Sequence, residues 1–63
     1  MKTGKVKFFN ETRGYGFIVV DNSGEEVFVH ATSIEGKIRE GDNVQFNVIE
    51  GKKGLSAVEV KRV

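Results

Sequence analysis

The chain has no cysteine, proline or tryptophan, and one histidine among its 63 residues. Without cysteine there is no disulfide to staple a fold and no thiolate zinc site. A lone histidine and nine carboxylates spread along the chain make no metal cluster, so neither metal nor cofactor is expected. They also supply no paired acid and base for catalysis, so an enzyme is the least favoured reading. No apolar run approaches the roughly 20 residues that span a bilayer. Met1-Lys2-Thr3-Gly4 leads straight into patterned sequence with no signal-peptide core. The expectation is a cytoplasmic protein, and the lack of cysteine fits a reducing compartment. A chain this short and unstapled is read as one domain, residues 1–63, resting on a small apolar core.

The net charge of +1 selects no partner, but its distribution is uneven. Residues 1–17 hold Lys2, Lys5, Lys7 and Arg13 against Glu11 alone, and residues 51–63 hold Lys52, Lys53, Lys61 and Arg62 against Glu59. The middle of the chain is acidic. A fold that joins the two ends would present a weakly basic face.

What the chain does have is short, β-branched runs punctuated by glycine and by Asn/Asp/Ser clusters, too short for helices. They predict strands over about 4–10, 14–21, 26–30, 42–50 and 55–62. Alternation within them assigns faces. Aligning the aliphatic residues puts Ile18, Val20, Val27 and Val29 inside, leaving Tyr15, Phe17, Phe28 and His30 on the outer face. Val44, Phe46, Val48, Val58 and Val60 are the remaining expected core residues. Asp21-Asn22-Ser23-Gly24 reads as a turn that tolerates left-handed backbone. Residues 31–41 lack strand character and allow at most one helical turn near Ala31-Thr32-Ser33-Ile34. Five short strands without a convincing helix predict an all-β, five-stranded Greek-key barrel, since closure removes exposed edges.

Exposed rings need a reason, and the stretch from Lys5 to Ile18 offers one. Lys5, Lys7 and Arg13 interleave there with Phe8, Phe9, Tyr15 and Phe17. Rings that stack on bases beside cations that meet phosphates suit single-stranded nucleic acid. Strict alternation from Val6 would turn Phe8 inward and Lys7 and Phe9 outward. A bulge in the first strand would reverse this for Phe8. A protein-interaction barrel using the same patch is the alternative.

At Gly14-Tyr15-Gly16-Phe17-Ile18 and Val27-Phe28-Val29-His30 the sequence resembles the two ribonucleoprotein motifs of the cold-shock domain family, in order and at the right separation. The likeness starts at Gly4-Lys5-Val6-Lys7-Phe8-Phe9-Asn10, continues through Glu40-Gly41, Val44, Glu50-Gly51 and Gly54, and so covers essentially the whole chain. It implies an antiparallel OB-type barrel that binds single-stranded RNA and DNA as a monomer with low sequence specificity, pyrimidines included. It also implies an RNA chaperone that melts weak structure without ATP and adjusts transcription and translation after cold stress. The family's binding surface falls on Lys7, Phe8, Arg13, Tyr15, Phe17, Phe28, His30 and Lys53, with Lys5, Phe9, Asn10 and Lys52 as weaker candidates. Phe8 stands where most members have Trp, and Tyr15 and Arg13 replace the commoner Phe and Lys. Ala31 follows His30 where many bacterial members carry Phe, and the 31–41 connector is shorter and has no ring. Up to two stacking platforms are thereby lost, each worth about 1–3 kcal/mol in such proteins. Weaker binding, or a shorter footprint, is the expectation.

Overall fold

The computed structural model describes residues 1–51 and 54–63. Its elements are β1 (Lys2–Asn10), β2 (Tyr15–Val20), β3 (Glu26–His30), a 3₁₀ turn (Ala31–Ser33), β4 (Ile34–Glu35), β5 (Asn43–Gly51) and β6 (Gly54–Arg62). The five predicted strands are present, with ends displaced by up to two residues. The two-residue β4 is new. β1 pairs antiparallel with both β2 and β5, and β5 pairs antiparallel with β6. A parallel contact of Phe28 with Ser56 and Val29 with Ala57 joins β3 to β6 and closes the barrel. β4 lies parallel to the far end of β6, Ile34 opposite Val60.

The alternation of β2 and β3 holds residue by residue. Ile18, Val20, Val27 and Val29 are buried, and Tyr15, Phe17 and Phe28 face outward half-buried. Phe46 and Val44 of β5 complete the interior from the opposite wall, and Phe46 is the only ring at 0% exposure among the described residues. In the turn after β2, Asn22 and Gly24 both take positive φ, as their types allow.

Two bulges alter the expected faces. In β1 the register with β2 slips between Val6 and Phe8, which pair with the adjacent residues Ile18 and Phe17. Lys7 is the extra residue, so Lys7 and Phe8 both point outward and Phe9 turns in to pack against the core. The slip sits where β1 finishes its contacts with the β5 side. Val6 accepts from Gly41 N–H at 2.8 Å and donates to the Asp42 carbonyl at 2.9 Å. The second slip lies between β5 and β6, where Gln45 and Asn47 pair with Lys61 and Val58. Glu59 and Val60 therefore oppose Phe46 together, and Glu59 adopts φ 53. As a result Ala57 and Val60, three residues apart, are both buried. Val58, expected inside, is only partly buried and leaves its core place to Ala57.

The connector after β3 contributes more than a loop. Ile38, between Lys37 and Arg39, is 1% exposed and belongs to the core. Asp42 holds the turn behind it, its carboxylate accepting from Arg39 N–H at 2.9 Å.

Gly16 sits where no side chain fits between β1 and β2. A Cβ there would press on the Phe8 carbonyl oxygen and lie 2.9 Å from Phe9 Cα, both backbone atoms that cannot yield. Overpacking of this kind costs about 1–3 kcal/mol or more. Gly16→Ala is therefore expected to lower the melting temperature by roughly 10–20 °C. A melt within a few degrees of wild type would show that β1 can move aside.

Candidate nucleic-acid interface

Sheet register sets the outer face of β1–β3 into rows. Phe8, Phe17 and Phe28 are successive partners across the three strands, and Asn10, Tyr15 and His30 form the next row. Neighbouring residues in a row and the residues above them lie within reach of aromatic side chains. Phe8 meets Phe17 at 5.6 Å between centroids and Tyr15 at 6.3 Å edge-on. Phe28 lies 6.0 Å from Tyr15 at an interplanar angle of 17°, 5.8 Å from Phe17 edge-on and 6.5 Å from His30. The five rings form one continuous surface. Phe8, raised outward by the bulge at Lys7, keeps 37% of its surface exposed.

The aromatic surface runs on into a groove of about 770 Å³ beyond Phe17 and Phe28. Leu55 and Ser56 form its other wall because β6 pairs with β3, and Glu25 and Glu26 stand at its edge. A long-range parallel contact of this kind leaves no local trace in sequence, so Leu55 and Ser56 were not foreseeable as neighbours of the rings. Glu26 was within reach, since alternation already places it on the face of Phe28.

The polar candidates divide by what they touch. Lys7 Nζ lies 3.0 Å from Glu26 Oε1, the one ion pair among the described residues. Arg13 is exposed in the turn between β1 and β2. Asn10 builds that turn: its side-chain oxygen accepts from Arg13 N–H at 3.1 Å and its carbonyl from Gly14 N–H at 2.8 Å. Lys5 is exposed on β1, in the row with Val19 and Glu26 that adjoins the Phe8–Phe17–Phe28 row. His30 has a structural duty besides its place in the row. Its Nδ1 accepts from Thr32 N–H at 3.2 Å and lies 2.9 Å from Thr32 Oγ1, capping the 3₁₀ turn. A backbone N–H can only donate, so the ring proton belongs on Nε2, the nitrogen left for a ligand.

Phe9 is the candidate that the fold withdraws, because the bulge points its ring to the core side. There it lines a separate pocket of about 240 Å³ with Ala31, Ile34 and Ile38. Lys52 and Lys53 lie outside the described residues.

The 'Cold-shock' DNA-binding domain family matches residues 2–63. The chain belongs to the cold-shock domain family. Among relatives, it is 52% identical to cold shock-like protein CspA of Vibrio cholerae, over 92% of this chain and 89% of that one. It is 45% identical to cold shock protein CspD of Bacillus subtilis over the whole of both chains. The solved structure drosophila Unr CSD456 superposes with a TM-score of 0.80 at 26% identity, across 98% of this chain and 26% of that longer one. A cold-shock domain is a nucleic-acid-binding unit.

Proposed function

We propose that this cold-shock domain binds single-stranded RNA and DNA on the outer face of β1–β3, in the cytoplasm and without catalysis. Bases stack on Phe8, Tyr15, Phe17, Phe28 and His30, while Lys7 and Arg13 meet phosphates. Lys53, which lies between β5 and β6 in sequence, is the remaining cation assigned to phosphate. The observation that carries this reading is the two-row cluster of rings turned outward while aliphatic residues of the same strands fill the barrel. Stacking accepts any base, so sequence preference is mild and pyrimidine runs are suitable ligands. Duplexes, whose bases are already stacked, are not. By holding only the open strand, a monomer shifts hairpins toward the melted state without ATP, which is RNA chaperoning and a means of altering transcription and translation.

Tyr15 is the only tyrosine in a chain without tryptophan, so intrinsic emission reports on the platform alone. Titration with oligo-dT is expected to change that emission saturably, whereas a duplex of the same length is not. Affinity is expected to fall as salt rises, by about 0.7 in log–log slope for each phosphate neutralised. Equal binding to duplex, or affinity indifferent to salt, would defeat the proposal.

A further inference from the structure

The only ion pair among the described residues lies inside the proposed binding face, and it joins the cation meant for phosphate to a carboxylate. Lys7 is the bulged residue of β1, displaced outward beside Phe8. Glu26 opens β3 on the same outer face, two residues before Phe28 and opposite Val19. Their contact is 3.0 Å, and their side chains keep 52% and 49% of their surface exposed. Half-exposed pairs of this kind add little to stability, so the pairing is an exchangeable one. Among the described residues, the other charges nearby are Glu25, adjacent to Glu26 at the groove, and Lys5, two residues before Lys7 on β1.

We propose that Glu26 acts as an internal competitor for the phosphate that Lys7 would hold, so that it tunes affinity and its salt dependence. This rests on the single-strand-binding reading above. A phosphate that reaches Lys7 must displace the Glu26 carboxylate or share the ammonium with it. In the first case one ion pair replaces another. In the second the local charge stays near zero. Either way Lys7 contributes less than a full phosphate neutralisation. The carboxylate, together with Glu25, also repels backbone at the Phe17–Phe28 end of the platform. Phosphates are thereby directed toward Arg13, and bases over the groove.

The test is oligo-dT titration of wild type, Glu26→Gln, Lys7→Met and the double variant at about 50 and about 200 mM salt. Glu26→Gln is expected to bind about fivefold more tightly at the lower salt, the factor for one unit charge a few ångströms away in water. Its log–log salt slope is expected to steepen by about 0.7, one further phosphate on a single strand. In the Lys7→Met background the same change should leave the slope where it was, because the cation it would release is gone. Thermal melts should be nearly superimposable for all four, since the pair is exposed. Weaker binding by Glu26→Gln would overturn the proposal and make the carboxylate a hydrogen-bond acceptor for a base. Tight binding with an unchanged slope would overturn it and leave the single-strand reading intact. Failure of wild type to bind at either salt would end both.

Discussion

Replacing Phe17 and Phe28 together by alanine is expected to weaken single-strand binding by more than tenfold while leaving the barrel folded. Each ring in a stacking platform carries about 1–3 kcal/mol of affinity. The two touch edge-on at 5.8 Å, so their contributions couple and the double loss need not equal the sum of the singles. Even the low end, about 2 kcal/mol, is a drop of more than tenfold, and the high end exceeds a thousandfold. Phe28 is the more damaging single change. It contacts Tyr15, Phe17 and His30, so its removal also loosens the rings that remain. The fold should tolerate the loss because both rings stand half-buried on the outside and their removal opens no interior cavity. The four aromatic pairs they make are worth about 0.5–1.5 kcal/mol each beyond the area they bury, so the variant is expected to melt cooperatively but below wild type. Titration with oligo-dT beside a thermal melt separates the two quantities. If affinity held within threefold of wild type while the fold stayed intact, the platform would have to lie elsewhere.

Phe46→Ala is expected to do the reverse, destroying the fold and with it everything else. Phe46 is fully buried, sits opposite the β6 bulge at Glu59 and Val60, and approaches Gly4 so closely that a Cβ there would lie 3.1 Å from its ring. Removing a core phenylalanine costs about 3–5 kcal/mol, the transfer term plus a cavity that a closed barrel cannot collapse to fill. A domain of this length is stabilised by only about 3–9 kcal/mol in total. The variant should therefore be largely unfolded at 37 °C, read by far-ultraviolet circular dichroism and by a denaturation midpoint near zero urea. The same substitution at Phe8, on the surface, opens no core cavity and should lower the melt less, by its two ring contacts, while leaving the fold cooperative. A cooperative melt of Phe46→Ala close to wild type would mean that the core does not depend on its one buried ring.

The contrast between these rings shows how far residue pattern reaches. Phe17, Phe28 and Phe46 were placed correctly by alternation alone, because each lies in a regular ladder where side chains strictly change sides. Alternation failed at Phe8, Phe9 and Val58, and in each case an extra residue in one strand reverses the count downstream. For Phe8 the likeness to a known family, not parity, led to the surface. Ile38 was hidden for another reason: an isolated apolar residue between Lys37 and Arg39 has no period, and its burial depends on where the connector crosses the barrel.

The sequence by itself determined that this is a small all-β barrel without disulfide support. It also determined that β2 and β3 turn rings outward, since both follow from local composition and a two-residue period. Only the tertiary structure decided that β1 bulges at Lys7 to add Phe8 to those rings. It likewise decided that β6 lays Leu55 and Ser56 beside Phe28, and that Glu26 already pairs with Lys7. Each of these depends on how strands distant in the chain are registered against one another, and register across a closed barrel is set by the packing of the whole core.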